Sequence, residues 1–246
     1  MPAPKDTQAL SRFLETDLSD DQYSSMVEWL KHNTEPLSQV KSFMEKTAVE
    51  LDFRAIFPDV SDKLCMLWTP VYAGEVLKYA TLQGGNWQTY LNVKESILTS
   101  DGKKVNVSLG LLPCILPPGR KAKKRASVDE ALASYIDVKP VGTNLPKYLE
   151  EVSNTQPYVL ILGGFADPLQ CFTIVERRAI PQVSFLKAID VCFKLFYILN
   201  LNYPWQSYTT WEFIQKVIYG LEDTGNHNKT SPAVIAMTAL KKASKI

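Results

Sequence analysis

The stretch Tyr158-Val-Leu-Ile-Leu-Gly-Gly-Phe-Ala-Asp-Pro-Leu-Gln-Cys-Phe-Thr-Ile-Val-Glu176 decides the fold class of this chain. The continuous apolar run Tyr158–Leu162 is typical of a strand that is buried on both faces. Gly163 and Gly164 predict a hairpin loop, because glycine adopts the positive φ values that tight loops require. Cys171–Glu176 predicts a second strand, and 179–183 a third. The segment therefore predicts a small antiparallel sheet.

A long helix is predicted directly after these strands. Ser184 is a typical N-cap residue, and the segment that follows is apolar on almost every side as far as Asn200. A helix that is apolar all round is expected to be buried, so we expect this one to cover the sheet at the centre of the fold. A further helix is predicted over Thr210–Leu221, where large apolar residues recur at helical spacing.

The segments before the sheet show a mixed pattern. Ser127 and Glu130 form a capping-box pattern, which predicts a helix that reaches Ile136. A short helix is expected over 147–152. The β-rich run Val105–Leu112 favours a strand, with a buried helical turn as the alternative.

The first hundred residues are predicted to be helical. Capping-box residues from Ser19 to Gln22 precede one amphipathic pattern, and a second apolar stripe runs from Leu37 to Leu51. Two short helices are expected on either side of Pro70, since proline interrupts the helical hydrogen-bond ladder. The predicted fold class is α+β, with a helical lobe over 1–100 packed on a lobe over 101–246 that contains the small antiparallel sheet and flanking helices.

Composition indicates a globular chain without a strong overall charge. The 246 residues are 46% hydrophobic and 22% charged, and 27 Lys and Arg balance 26 Asp and Glu. No global field therefore attracts nucleic acid or anionic lipid. The first residues lack the apolar core of a secretory signal, and no apolar run has the length of a membrane span. Together with four well-separated cysteines, expected to be reduced thiols, this predicts a protein of the nucleus or cytoplasm that does not bind membranes.

Catalytic and metal-binding patterns are missing from the sequence. His32 and His227 are far apart and have no cysteine at ligand spacing, so no metal site is predicted. The chain has no nucleophile-elbow motif, and its Gly163-Gly164 pair lacks the spacing of a phosphate-binding loop. We therefore predict no catalytic residue, no metal and no cofactor, and hence a protein that is not an enzyme.

One exposed basic segment is predicted. Pro117-Pro118-Gly119 is followed by Arg120, Lys121, Lys123, Lys124 and Arg125, which place five cations in six residues. Such a run acts as a nuclear localisation signal read by an import receptor, or it contacts nucleic-acid phosphates. A solvated charge run without a partner is the third interpretation. A cluster of this size makes only a few phosphate contacts, so any nucleic-acid binding is expected to be weak and salt-sensitive.

Aromatic residues are concentrated between Phe193 and Tyr219. Their helical spacing and their apolar neighbours favour core packing over a base-stacking platform. Trp205 differs, because it lies in the connection between two predicted helices. It is the residue that we expect to anchor a protein partner.

Several motifs occur in the same order as in a known family. They are Leu111-Leu-Pro113, Pro117-Pro118 with the basic segment, Gln156-Pro-Tyr-Val-Leu160, Ala188-Ile-Asp-Val-Cys-Phe-Lys194, Tyr203-Pro204 and Trp211-Glu-Phe-Ile-Gln-Lys-Val-Ile-Tyr219. In these motifs the chain resembles the uncharacterised eukaryotic family labelled sterile alpha motif domain-containing protein 3-like, chiefly over 105–221. The resemblance implies an interaction or regulatory protein with a distribution like that of mobile elements, and it carries over no catalytic residue. No sterile alpha motif is evident near the N-terminus.

These observations favour a non-enzymatic protein-interaction or regulatory protein. The alternative is a nucleic-acid-associated protein that uses the basic segment 120–125. The two hypotheses make different demands on the structure. The first requires an exposed apolar patch larger than the few hundred Å² that are normal for a protein surface. The second requires further Lys or Arg side chains on the face of the basic segment.

Overall fold

The computed structural model describes residues 48–84, 87–91, 93–94, 98–154 and 156–222. Two predicted elements lie outside these ranges: the helix after Ser19 and most of the stripe that begins at Leu37. The two histidines also lie outside them.

The helical part begins with α1 over 48–56, followed by α2 (Lys63–Leu67), α3 (Ala73–Leu82) and α4 (Trp87–Leu91). The predicted break at Pro70 is wrong, because a π-helical turn (Trp68–Tyr72) joins α2 to α3. The Ala73 N–H donates to the carbonyl oxygen of Trp68, five residues earlier. This wider turn accommodates a proline, which has no N–H to donate.

Helix α5 (Asp101–Ile115) replaces the strand that was favoured over Val105–Leu112. Ser100 is its N-cap, and Pro113 lies in its last turn. All eight residues from Val105 to Leu112 except Asn106 are buried, so the apolar run belongs to a helix enclosed on nearly all sides. Because periodicity does not separate a short buried strand from a buried helix, the sequence pattern alone misassigned this element.

After α5 the chain forms a two-stranded hairpin, β1 (Arg120–Lys121) and β2 (Lys124–Arg125), and then α6 (Val128–Ala133). The predicted capping box of Ser127 and Glu130 is confirmed. The predicted extension of this helix to Ile136 is wrong, since Ile136 begins strand β3 (Ile136–Lys139). Its partner strand lies more than twenty residues further along the chain, so local pattern does not reveal the pairing.

The sheet has the strand order β3-β4-β5-β6, with β4 at Tyr158–Gly163, β5 at Pro168–Val175 and β6 at Arg178–Gln182. The three predicted strands are confirmed and pair antiparallel, whereas β3 adds a parallel edge strand in which Ile136 lies opposite Val159. Helix α7 (Leu145–Glu151) connects the two parallel strands, as βαβ geometry requires.

Both faces of the sheet are covered. Helix α8 (Phe185–Ile198), capped by Ser184, packs on one face, where Thr173 donates to the Ala188 carbonyl at 3.0 Å. The apolar side of α7 covers the other face, which presents Tyr158, Leu160 and Phe172. The chain then continues into α9 (Tyr208–Phe213) and a second π-helical turn, Ile214–Tyr219. The mixed α+β class and the central position of the 184–200 helix are thereby confirmed.

One core cluster connects the helical and the sheet-containing parts. It contains Phe53 and Trp68 from the first helices, Leu109 from α5, and Phe193 and Tyr219 from the C-terminal part. The lobe boundary near residue 100 stays a prediction, but α5 packs mainly on α3 and α4, from the other side of that boundary. None of the helices described here combines the length and the apolar character needed to cross a bilayer.

Candidate interaction site

The basic segment 120–125 forms an exposed hairpin, which we call the basic hairpin. Arg120 lies opposite Arg125, and Lys121 lies opposite Lys124. The turn between them includes Ala122 with a φ of 53°, and a two-residue hairpin turn requires such a positive value. Successive side chains of a strand point to opposite faces, so the two arginines share one face of the hairpin and Lys121 and Lys124 the other.

Backbone contacts hold the basic hairpin against the loop that contains Trp205. The Gly119 N–H donates to the Gln206 carbonyl at 2.9 Å, and the Ala126 N–H donates to the Gly119 carbonyl at 3.0 Å. A Cβ atom at residue 119 would lie 1.5 Å from the carbonyl oxygen of Trp205. Only glycine therefore permits this approach of the two backbone segments.

Trp205 lies beside the basic hairpin, so the structure brings together the two features that the sequence predicted separately. Its ring is half-buried, and the Lys124 Nζ lies 5.7 Å from the ring centroid, within the range of a cation–π contact. The same Nζ lies 2.9 Å from Oε1 of Glu130, in an exposed ion pair. Lys124 thus links the hairpin to both the tryptophan loop and α6.

The start of α6 fixes Glu130 in this position. Its backbone N–H donates to Ser127 Oγ at 3.0 Å, and its Oε2 accepts from the Ser127 N–H at 2.8 Å. The pKa of Glu130 is below its usual value. The hydrogen bond from the Ser127 N–H is the largest cause, and the hydrogen bond from Lys124 is the second. A carboxyl group whose pKa is lower in the folded than in the unfolded chain stabilises the folded state at pH values above its unfolded-state pKa. That contribution disappears as the pH falls through the folded-state pKa.

Replacing Lys124 with alanine is expected to raise the pKa of Glu130 towards its ordinary value without abolishing the shift. The Ser127 N–H is the larger cause of the lowered pKa and is unaffected by the substitution. A carboxyl-carbon NMR titration of the variant and the parent measures this change. Lys147→Ala is the control, because Lys147 pairs with Glu151 on α7 instead. An unchanged Glu130 titration in Lys124→Ala would show that the ion pair does not form in solution.

The remaining cations of the basic hairpin are directed to solvent. Arg120 Nε donates to the Ala122 carbonyl at 3.3 Å and otherwise stays exposed. In the described part of the chain, no hydrogen bond or ion pair is found for the side chains of Lys121, Lys123 and Arg125. These three side chains are therefore accessible to a partner, whereas Lys124 has a structural role as well.

A second group of charged side chains is buried in the core. Asp190, at 0% exposure, accepts from Lys194 at 2.8 Å and from Lys187 at 2.9 Å, and it also accepts from the Tyr219 hydroxyl. Glu50 pairs with Lys187 at 2.9 Å. Burial disfavours the charged form of Lys187, but Asp190 and Glu50 outweigh that effect, and the pKa of Lys187 is raised. We call these five residues the buried ionic network. Asp190 and Lys194 are almost fully enclosed, whereas the side chains of Lys187 and Glu50 keep 17% and 30% exposure.

A third polar cluster fastens α7 to the sheet. The Tyr148 hydroxyl lies 2.7 Å from Asp137 Oδ2 and 2.8 Å from the Tyr158 hydroxyl, and Lys139 pairs with Asp137 at 3.2 Å. Burial raises the pKa of Tyr158 to about 12, so its hydroxyl stays protonated at neutral pH. These contacts hold α7 against the sheet and therefore have a structural role.

The open pocket at the carboxyl end of β4 has a volume of about 350 Å³. Asp129 is the only ionisable residue among its lining side chains, which include Leu132, Val138 and Phe165. An active site usually combines several convergent ionisable groups, and this pocket does not. Among the described residues, no group of three or more His, Cys, Asp and Glu side chains is arranged to hold a metal ion.

The cysteines are free thiols, as predicted. Burial raises the pKa of Cys65 and Cys114 to about 12 and that of Cys171 to about 11. Burial also raises the pKa of Cys192 well above its usual value. A nucleophilic cysteine requires a thiolate at working pH, so the arrangement of these four does not support thiol catalysis.

Comparison with models of protein families, with curated proteins and with solved structures finds no match to this chain. The site must therefore be interpreted from its own geometry.

Sequence reasoning identified the cations and Trp205 but missed the positioning roles of Gly119 and Glu130. Glu130 was identified only as part of a capping box. The core carboxylate of Asp190 was missed as well. Its spacing of three residues from Lys187 and four from Lys194 is the signal that could have revealed the network, since such pairs share one helix face.

Proposed function

We propose that this chain is a non-enzymatic protein-interaction protein, and that the basic hairpin with Trp205 is its contact surface for an acidic segment of a partner protein. The observation that carries the proposal is the position of Trp205 next to the exposed cations, with Lys124 over its ring. Protein interfaces draw much of their affinity from aromatic anchors, whereas surrounding charges steer and orient the partner.

The charges around the basic hairpin favour an acidic protein segment over nucleic acid. Asp129 and Glu130 lie four and five residues after the end of the hairpin and are exposed. A nucleic-acid backbone needs a continuous basic surface, which these carboxylates interrupt. A short acidic segment needs only the few contacts that Lys121, Lys123 and Arg125 offer.

The other polar groups of the molecule support a binding role rather than an enzymatic one. Asp190 and Lys194 of the buried ionic network are closed to solvent, and the residues that line the pocket near β4 include a single carboxylate. Of the polar clusters described above, the basic hairpin is the one whose charged groups are accessible to a partner. That accessibility is expected of a binding surface.

Binding of a fluorescein-labelled peptide of alternating Glu and Phe should depend on the basic hairpin. We expect the variant Lys121→Gln/Lys123→Gln/Arg125→Gln to bind this peptide about tenfold more weakly, since each exposed charge contact contributes up to about 1 kcal/mol. Its affinity should also vary less with salt than that of the parent. Fluorescence anisotropy at several salt concentrations measures both effects.

Two further variants and one competing ligand complete the test. Trp205→Ala should weaken peptide binding by at least about tenfold through loss of the aromatic contact, while Trp205→Phe should retain most of it. Lys78→Gln/Lys147→Gln/Arg177→Gln removes three exposed cations elsewhere and should leave affinity unchanged. Equal binding by all variants would refute the proposal. Tighter binding of a single-stranded DNA oligonucleotide than of the peptide would replace it with nucleic-acid association.

A further inference from the structure

Ser127 follows the basic hairpin at the spacing that basophilic protein kinases select. Arg125 lies two residues before it, Lys124 three and Lys123 four, and the apolar Val128 follows it. Kinases that choose such substrates carry acidic grooves, which pair with cations on the N-terminal side of the serine. The same cations that form the proposed contact surface are therefore also a recognition pattern for the modification of their neighbour.

The Ser127 hydroxyl is accessible for this reaction. The residue is exposed, and its Oγ accepts one hydrogen bond, from the Glu130 N–H at 3.0 Å. The Ser127 side chain also interacts with the Glu130 carboxylate, which contributes to the lowered pKa of Glu130. Ser127 itself has an extended backbone, with φ of −76° and ψ of 167°.

A kinase binds its substrate as an extended segment, so the strand before Ser127 must be able to separate from its partner. Each strand of the basic hairpin is only two residues long. Isolated two-stranded hairpins are marginally stable, and exposed segments with few contacts open at small free-energy cost. Opening the segment 123–128 exposes one buried residue, Ala126, and breaks its hydrogen bond to Gly119, while the core stays folded.

We propose that Ser127 is a phosphorylation site for a basophilic serine kinase, and that phosphate at this position weakens the binding of an acidic partner to the basic hairpin. The second half of this proposal rests on the proposed function, whereas the first half stands independently of it.

The reaction consumes ATP, bound by the kinase. The Ser127 hydroxyl oxygen attacks the γ-phosphorus and forms the new O–P bond, and the bond from that phosphorus to the β–γ bridging oxygen breaks. ADP leaves, and the hydroxyl proton passes to a carboxylate base of the kinase and then to solvent.

Phosphate at Ser127 changes the charge of the site and its contacts. Residues 120–130 carry five cations and two carboxylates, and a phosphate adds about two negative charges at neutral pH. The phosphate thereby cancels most of the net positive charge of residues 120–130. Glu130 Oε2 lies 2.8 Å from the Ser127 N–H, so the new phosphate repels this carboxylate. Lys124, now paired with Glu130 at 2.9 Å, can pair with the phosphate instead.

The first experiment measures phosphorylation without any partner. The purified protein is incubated with ATP and the catalytic subunit of cyclic-AMP-dependent protein kinase, and the phosphate is located by peptide mapping. We expect phosphate at Ser127, and an initial rate in Arg125→Ala that is lower by about tenfold, the effect of losing one charge-assisted contact. Ser127→Ala should lose the corresponding phosphopeptide.

Two other serines serve as internal controls. Ser100 and Ser184 are also exposed N-cap residues, but neither has a cation among the three residues before it. Ser244 follows two lysines and lies outside the described residues, so the mapping must distinguish its peptide from that of Ser127. No phosphate at Ser127, equal phosphorylation of Ser100 and Ser184, or an unchanged rate in Arg125→Ala would overturn the proposal.

The second experiment compares the phosphorylated and unmodified proteins in binding the peptide of alternating Glu and Phe. We expect phosphorylation to lower affinity by about tenfold or more, in line with the loss of several charge contacts. Equal affinity of the two forms would overturn the regulatory half of the proposal. If the unmodified protein does not bind the peptide, the proposed function fails, and the phosphorylation result still decides whether Ser127 is a kinase site.

Discussion

Replacing Asp190 with alanine should lower the free energy of unfolding by about 3–5 kcal/mol, the usual effect of breaking a buried ion pair. The substitution leaves Lys194, at 1% side-chain exposure, as a buried ammonium group without its carboxylate partner. Tyr219 also loses the acceptor of its hydroxyl hydrogen bond. Urea denaturation followed by circular dichroism measures the change.

Two comparisons separate the effect of the unpaired charge from that of side-chain removal. Glu151→Ala breaks the exposed pair with Lys147 and should change the unfolding free energy by less than about 1 kcal/mol. The double variant Asp190→Leu/Lys194→Met removes both buried charges and should recover much of the stability lost in Asp190→Ala. If Asp190→Ala destabilises the protein no more than Glu151→Ala does, the buried ionic network is not formed in solution.

Gly119→Ala should destabilise the protein by about 3 kcal/mol, at the upper end of what overpacking costs. The added Cβ would lie 1.5 Å from the Trp205 carbonyl oxygen, and a backbone atom cannot rotate away as a side chain does. The basic hairpin must therefore move off the tryptophan loop and lose the hydrogen bond between the residue 119 N–H and Gln206. Faster amide hydrogen exchange at residues 119 and 126 would report this separation.

Gly102→Ala provides the matched control for that substitution. Gly102 lies in the first turn of α5, where an added Cβ meets no atom within 4 Å. Alanine is a better helix former than glycine by up to about 1 kcal/mol, so this variant should be as stable as the parent or more stable. If both glycine substitutions have the same effect, the close approach of Gly119 to Trp205 does not exist in solution.

The elements that sequence reasoning identified correctly are those with strong local signals. The apolar run Tyr158–Leu162 predicted β4, and Ser184 marked the start of α8, because capping and continuous hydrophobicity are properties of neighbouring residues. Strand β3 was missed because its stability comes from pairing with β4, which is distant in sequence. Val105–Leu112 was misassigned because burial on all sides removes the periodicity that distinguishes a helix from a strand.

The candidate site likewise combines a feature with a local sequence signal and a feature that depends on distant contacts. Charge density alone predicted that the cations from Arg120 to Arg125 would be exposed. Their position beside Trp205 depends on the contact of Gly119 with a loop more than eighty residues away. Such a contact is a property of the folded chain and has no local signature.

The contacts between the first and last described helices have a consequence for synthesis of the protein on the ribosome. Lys63 Nζ donates to the Tyr219 carbonyl at 3.1 Å, and the Tyr72 hydroxyl donates to the Val217 carbonyl at 3.0 Å. The Tyr219 ring also covers part of Phe53, with the two ring centroids 5.7 Å apart. The nascent chain cannot form these contacts until residues 217–219 have left the ribosome. Helices α1 to α3 must therefore wait with their apolar faces exposed, as substrates for chaperones, until residues 217–219 have been synthesised.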